Sequence, residues 1–111
     1  HAWINENRRQ MNLRVIVING ERKSLEVAEI DAQADIVRLI GHDCVISDEI
    51  DDKDAVYFDE ECFIRGSTGK FQIDKLAPIS GIAVVAGVAV GGQPTEAAAS
   101  PDLLKKRIKF L

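Results

Sequence analysis

The sequence predicts an α+β domain: an antiparallel sheet of five or six strands with one short helix on a face and a second helix at the C terminus. Three observations lead there. Short runs rich in β-branched residues recur between polar turns, as in a sheet built from hairpins. One segment, Asp31–Gly41, switches to helical spacing. The run "IAVVAGVAV", Ile82–Val90, is nine residues without a charge, which suits a strand buried on both faces.

The opening "HAWINENRRQ" precedes the first methionine, Met11. Residues 1–10 are expected to be a leader or an added remnant, and they hold no apolar core of signal-peptide length. "LRVIVI", Leu13–Ile18, is the first expected strand. Asn19-Gly20 then signals a hairpin, with a turn of two residues or more. "SLEVAEI", Ser24–Ile30, alternates as the returning strand. In "DAQADIVRLIG" Asp31 is the expected N-cap, Asp35 stands near the first turn and Gly41 occupies the C′ position. Ile36, Val37 and Ile40, with Leu39 beside them, form the apolar stripe of a helix of about ten residues.

"DCVIS" reads as a strand and "DEIDDKD" breaks it. "AVYF" is the next strand, "DEE" turns, "CFIR" returns and "GSTGK" turns again. In "FQIDKL", Phe71, Ile73 and Leu76 alternate imperfectly, and Pro78 and Gly81 loosen the chain after it. The apolar run Ile82–Val90 is less than half of the ~20 residues that a membrane helix needs. Its flanking glycines miss the dinucleotide spacing, and no Lys-Ser/Thr pair ends it as in a phosphate loop. Gly87 marks a bulge or a close backbone contact, and Gly91-Gly92 end the strand. "QPTEAAA" is a linker of small residues. "SPDLLKKRIKFL" starts like a helix, with Ser100 as cap, Pro101 at the first position and Asp102 in the first turn. Leu104, Ile108 and Leu111 make its stripe, widened by Leu103 and Phe110. Lys105, Lys106, Arg107 and Lys109 load its C-terminal half, where cations suit the helix dipole. The expected organisation is a single α+β domain over 11–92 followed by a linker and helix over 93–111.

Composition narrows the function classes. With 46% hydrophobic and 29% charged residues the chain matches a soluble globular domain, expected in the cytoplasm. A net charge of −4 gives no overall attraction to nucleic acid or anionic lipid. The two cysteines, Cys44 and Cys62, are too few for a secreted disulfide scaffold, and are expected to be free and mostly buried.

Charge is polarised along the chain. Between His42 and Cys62 stand nine acids, Asp43, Asp48, Glu49, Asp51, Asp52, Asp54, Asp59, Glu60 and Glu61, against the single base Lys53. Asp48, Glu49, Asp51, Asp52, Asp54, Asp59, Glu60 and Glu61 are the candidate interaction surface for a basic protein partner, or a mimic of a phosphate backbone. The bland alternative is a solvated loop whose acids keep a sheet edge soluble. Calcium is disfavoured because "DEIDDKD" lacks the glycine of an EF-hand loop. Zinc is disfavoured because His42, Cys44 and Cys62 offer three ligands at most and no CxxC pair. His42 and Cys44 share a strand face and could pair as base and nucleophile, but Cys44 leads an apolar run. "RGSTGK" is a hairpin-like turn. Of the aromatics Tyr57, Phe58, Phe63, Phe71 and Phe110, Phe110 alone has basic neighbours, which argues against stacking on nucleic acid.

From Met11 to about Val88 the order of elements resembles a family of small domains of unknown function common in phage and mobile-element genomes. "LRVIVI", a second strand ending near "EI", the helix closing as "VRLIG", the acidic hairpin "VYFDEECFIRG" and the late strand "GIAVVAG" carry the likeness. Cys62 stands where that family usually has a glycine, and its proline-asparagine motif after the hairpin is absent. The resemblance implies a small accessory protein of a mobile element, often an interaction module, and implies no activity.

The expectation is therefore a small non-enzymatic accessory or interaction protein. The alternative is an acidic DNA mimic or inhibitor that binds a basic nucleic-acid-binding partner. No catalytic residue, cofactor or metal is expected, and no membrane association. A homodimer is expected, with Leu103, Leu104, Ile108, Phe110 and Leu111 as oligomer contacts, because they are more apolar side chains than a narrow helix stripe requires.

Overall fold

In a computed structural model, residues 13–64, 69–90 and 93–111 are described. The expected leader over 1–10, most of the "GSTGK" turn and Gly91-Gly92 lie outside them. The β-branched run forms β1 (Leu13–Asn19), which pairs antiparallel with β2 (Ser24–Ile30) from Leu13 opposite Ile30 to Asn19 opposite Ser24. The turn has four residues. The Asn19 side-chain oxygen accepts the N–H groups of Glu21 and Arg22 at 3.0 and 3.1 Å, and Lys23 takes φ 53°.

Helix α1 (Gln33–Ile40) comes next. Its start is fixed by Asp35 rather than by Asp31 as N-cap. The Asp35 carboxylate reaches back to accept the N–H groups of Asp31 and Ala32 at 2.9 and 3.2 Å, satisfying donors that have no partner within the helix. Arg38 pairs with Asp35 one turn on. Gly41 ends the helix at φ 87°, donating its N–H to the Val37 carbonyl at 2.8 Å. That left-handed geometry costs little only without a Cβ.

The remaining elements are β3 (Val45–Glu49), β4 (Asp54–Asp59), β5 (Lys70–Ile73), β6 (Ile79–Ser80), β7 (Ile82–Val90), β8 (Gln93–Thr95), a short helix α2 (Pro101–Lys105) and β9 (Ile108–Phe110). The fold is α+β, mostly antiparallel. The large sheet has six strands in the order β2-β1-β7-β4-β3, with β8 added to the end of β7. The charge-free strand β7 is central, between β1 and β4. A second sheet, not foreseen from the sequence, has the order β6-β5-β9.

Alternation along the central strands splits the core in two. Ile16, Ile18, Val56, Ala83 and Val85 face the second sheet, where they meet Phe71, Ile73, Ile79 and Leu104. Leu13, Val15, Ala55, Tyr57, Val84 and Ala86 face α1 and meet Ile36 and Ile40. Each fully buried Val, Ile or Phe is worth about 1.5–3 kcal/mol, so both layers hold the sheet. Gly87 explains itself by contact. A Cβ there would overlap Thr95 and the Glu96 carbonyl, beside the register shift between Gly87 and Val90 in the β7–β8 pair.

Three expectations are corrected. "CFIR" does not return as a strand. Cys62 and Ile64 donate to the Asp59 and Glu61 carbonyls, so the backbone continues from β4 as turns. The C-terminal helix stops at Lys105, and Ile108–Phe110 continues as a strand on β5. The cap is as expected: Ser100 Oγ accepts the Leu103 N–H at 3.1 Å, with Pro101 behind it. Strand spacing wins afterwards because Ile108 and Phe110, two apart, both turn inward, Phe110 lying 6.2 Å from Phe71 between ring centroids. Of the residues expected at an oligomer contact, Leu104 is buried in this chain's own core, Ile108 and Phe110 are half-buried against it, and Leu103 and Leu111 are exposed. Finally, Cys44 is exposed whereas Cys62 is buried; both are free. Cys44 lies just before β3, on the rim of the sheet, and Cys62 turns under it to accept the Ser80 N–H.

Candidate functional site

The acid-rich window becomes the β3–β4 hairpin and its two ends. β3 pairs with β4 from Val45 opposite Asp59 to Glu49 opposite Ala55. It is the last strand of the large sheet, and no described strand pairs with its other side. The register fixes which backbone groups that side presents. Ile50 donates to the Asp54 carbonyl at 2.9 Å and Glu60 donates to the Cys44 carbonyl at 2.8 Å. Paired residues in an antiparallel ladder alternate between bonded and non-bonded. The N–H and C=O groups of Cys44, Ile46, Asp48 and Ile50 therefore point to β4, and those of Val45, Ser47 and Glu49 point outward.

Side chains divide in the same way. Val45, Ser47 and Glu49 lie on the α1 side, with Val45 packed on that core. Ile46 and Asp48 lie on the side of the second sheet, opposite Phe58 and Val56. Ile46 is 39% exposed, high for a large apolar residue. Ser47, Asp48 and Glu49 are exposed, as are Asp51 and Asp52 in the turn and Glu60 and Glu61 at the opposite end of the hairpin.

The eight expected surface acids do not behave alike. Asp54 is 1% exposed and its carboxylate accepts the N–H groups of Ala98 and Ala99 at 2.7 and 2.9 Å. It clamps the segment between β8 and α2 to the sheet and is no part of the surface. Asp59 is buried too, accepting the Glu61 N–H at 3.1 Å. Asp51 accepts the N–H groups of Lys53 and Asp54 at 2.9 and 3.0 Å and pairs with Arg107 at 3.3 Å. The Lys53 and Asp54 N–H groups, in that order, hold the Asp51 carboxyl below the usual carboxylate range, and Arg107 adds to this. Arg107 also grips Asp74 through Nε at 3.0 Å; that bond, more than the one to Asp51, raises the guanidinium's affinity for its proton. One of the four bases of the C-terminal segment, Arg107, thus meets the acidic turn within one chain. Asp48, Glu49, Asp52 and Glu60 form no ion pair with a described residue.

Half-buried His42 and exposed Cys44 stand before β3, while Cys62 lies under the sheet beside Ser80. Among the described residues no three His, Cys, Asp or Glu side chains are placed to hold a metal ion. A shallow depression lined by Glu29, Ile30, Asp31, Asp35, Arg38 and Leu39 opens beside α1, and its one cation, Arg38, is engaged by Asp35. No helix among the described residues is long and apolar enough to cross a membrane.

What sequence reasoning missed is the edge itself. The acids were visible, but the outward backbone of Val45, Ser47 and Glu49 is fixed only by strand order. Comparison of the chain with protein-family models, with curated proteins and with solved structures finds no match.

Proposed function

We propose that this chain is a non-enzymatic interaction module, an accessory protein that binds a basic protein partner along the acidic β3 edge. The observation that carries the reading is the grouping of Asp48 and Glu49 on β3 with Asp52 in the turn that follows, all exposed and without ion pairs among the described residues, beside a strand whose outer backbone meets no described strand. Like charges gathered on one edge favour a cationic ligand and speed its encounter. The buried acids Asp54 and Asp59 are excluded from the surface, and Asp51 is held by Arg107.

The test compares two immobilised proteins in host lysate at physiological salt: the unmodified chain and a variant with Asp48→Asn, Glu49→Gln and Asp52→Asn. The expected result is a set of basic proteins retained by the first and lost from the second. Equal retention by both would remove the acids from the function. A retained set of nucleic-acid-binding proteins that added DNA displaces would turn the reading toward a DNA mimic.

A further inference from the structure

We propose that the partner of this edge is an extended basic segment that adds to β3 as a new antiparallel strand. The inference rests on the reading that the β3 edge binds a basic partner, and adds how the partner is held. The outward N–H and C=O groups of Val45, Ser47 and Glu49 form one side of a ladder with no described strand opposite. Every described strand pair in both sheets is antiparallel, and an added strand in that direction makes the straighter hydrogen bonds. Peptide addition to a sheet edge takes affinity from the main chain and specificity from alternate side chains.

The side chains of β3 specify what is added. Acids occupy its C-terminal end, Asp48 and Glu49, and continue into the turn as Asp52. Apolar residues occupy its start, Val45 and Ile46. Opposite Glu49 and Asp48 an antiparallel strand therefore needs two bases, one on each face. Opposite Ser47 it needs a small hydroxyl residue, and opposite Ile46 and Val45 two β-branched residues. A further base ahead of these reaches the turn at Asp52. The resulting pattern, from N to C terminus, is three bases, a hydroxyl residue and two β-branched residues. A second copy of β3 does not fit. Antiparallel pairing of two such edges about Ser47 sets Glu49 opposite Val45 and Asp48 opposite Ile46 of the other copy, so none of the four acids meets a base across the ladder.

The probe is the capped peptide Lys-Lys-Arg-Thr-Ile-Val, titrated into the full chain by calorimetry. In the proposed register its second, fourth and sixth residues bond to β3, while the third and fifth turn their N–H groups away. Backbone N-methylation of the second and fourth residues is expected to weaken binding about tenfold or more, since two hydrogen bonds are lost. Methylation of the third and fifth is expected to change it little. Ser47→Pro keeps every charge and removes an N–H that points outward, a position where an edge strand tolerates proline; it is expected to weaken binding by a similar factor. Circular dichroism of that variant checks the fold, and the methylated peptides test the same point on unaltered protein. Equal affinity for both methylated peptides would overturn strand addition while leaving the acidic-surface reading in place. No binding of the unmodified peptide would also overturn it, and the acidic-surface reading is then decided by the lysate comparison.

Discussion

Asp54 offers the sharpest test of how this fold is held. Its carboxylate is 1% exposed and accepts two backbone N–H groups, from Ala98 and Ala99, across 44 and 45 residues of sequence. Hydrogen bonds to a charged acceptor are worth about 1.5–3 kcal/mol each, and a part-buried donor left without a partner keeps its desolvation cost. Asp54→Ala removes both acceptors, so the expected loss is about 3 kcal/mol or more. Asp54→Asn retains one acceptor and turns an NH2 group toward the other N–H, for an expected loss of about 2 kcal/mol. For a chain of this size 1 kcal/mol shifts Tm by roughly 4 °C, so the alanine variant should melt roughly 12 °C lower. Urea unfolding measures the change in midpoint at constant m. Asp52→Asn, two residues away but exposed, is the control and should stay within about 0.5 kcal/mol. Hydrogen exchange should quicken first at the Ala98 and Ala99 amides. A loss under about 1 kcal/mol for Asp54→Ala, or one equal to that of Asp52→Asn, would refute the claim that this carboxylate clamps the C-terminal segment.

Burial raises the pKa of Tyr57, the single tyrosine of the chain. A raised folded value means that the unfolded state releases its proton first, so this contribution is complete below pH ~10 and is lost as pH rises through the folded value. Phenolate absorbance should titrate above pH ~10, and Tyr57→Phe should flatten the alkaline loss of stability. The depressed pKa of Asp51 acts in the other direction: its contribution is present above pH ~4 and is lost as pH falls through the folded value, so Asp51→Asn should reduce the acid sensitivity of unfolding. Native protein should show one fast-reacting thiol, from exposed Cys44, and a second only on denaturation, from buried Cys62; two fast thiols contradict the placement of Cys62. Gly87→Ala should cost about 1–3 kcal/mol by overpacking against Thr95 and Glu96, read by urea unfolding, and Thr95→Ala should relieve part of it.

The elements that sequence made plain are those whose signal is local. Nine charge-free residues bounded by glycines specify β7 whatever surrounds them, and Ile36, Ile40 and Gly41 specify α1 and its end. The second sheet had no such signal, because its strands have four, two and three residues and meet only after the chain has folded. "LLKKRIKFL" satisfies two periods at once: Leu104, Ile108 and Leu111 fit a helix, while Ile108 and Phe110 fit a strand. Packing on Phe71 decides between them. The same limit applied to the acids. Composition showed an acidic window, but burial of Asp54 and Asp59 depends on backbone donors, in one case from beyond β8, and capture of Asp51 depends on Arg107. The exposed acids of the edge could be separated from these only once strand order was known.

Amide chemical-shift mapping would show whether the β3 edge is where a basic partner binds. The peptide Lys-Lys-Arg-Thr-Ile-Val is added to 15N-labelled protein at physiological salt. The largest shifts should fall on Val45–Asp52, led by the outward amides of Val45, Ser47 and Glu49, with the opposite edge strand Ser24–Ile30 unmoved. Shifts confined to Ser24–Ile30 or to Ile108–Phe110, or spread evenly over all exposed acids, would contradict binding at the β3 edge.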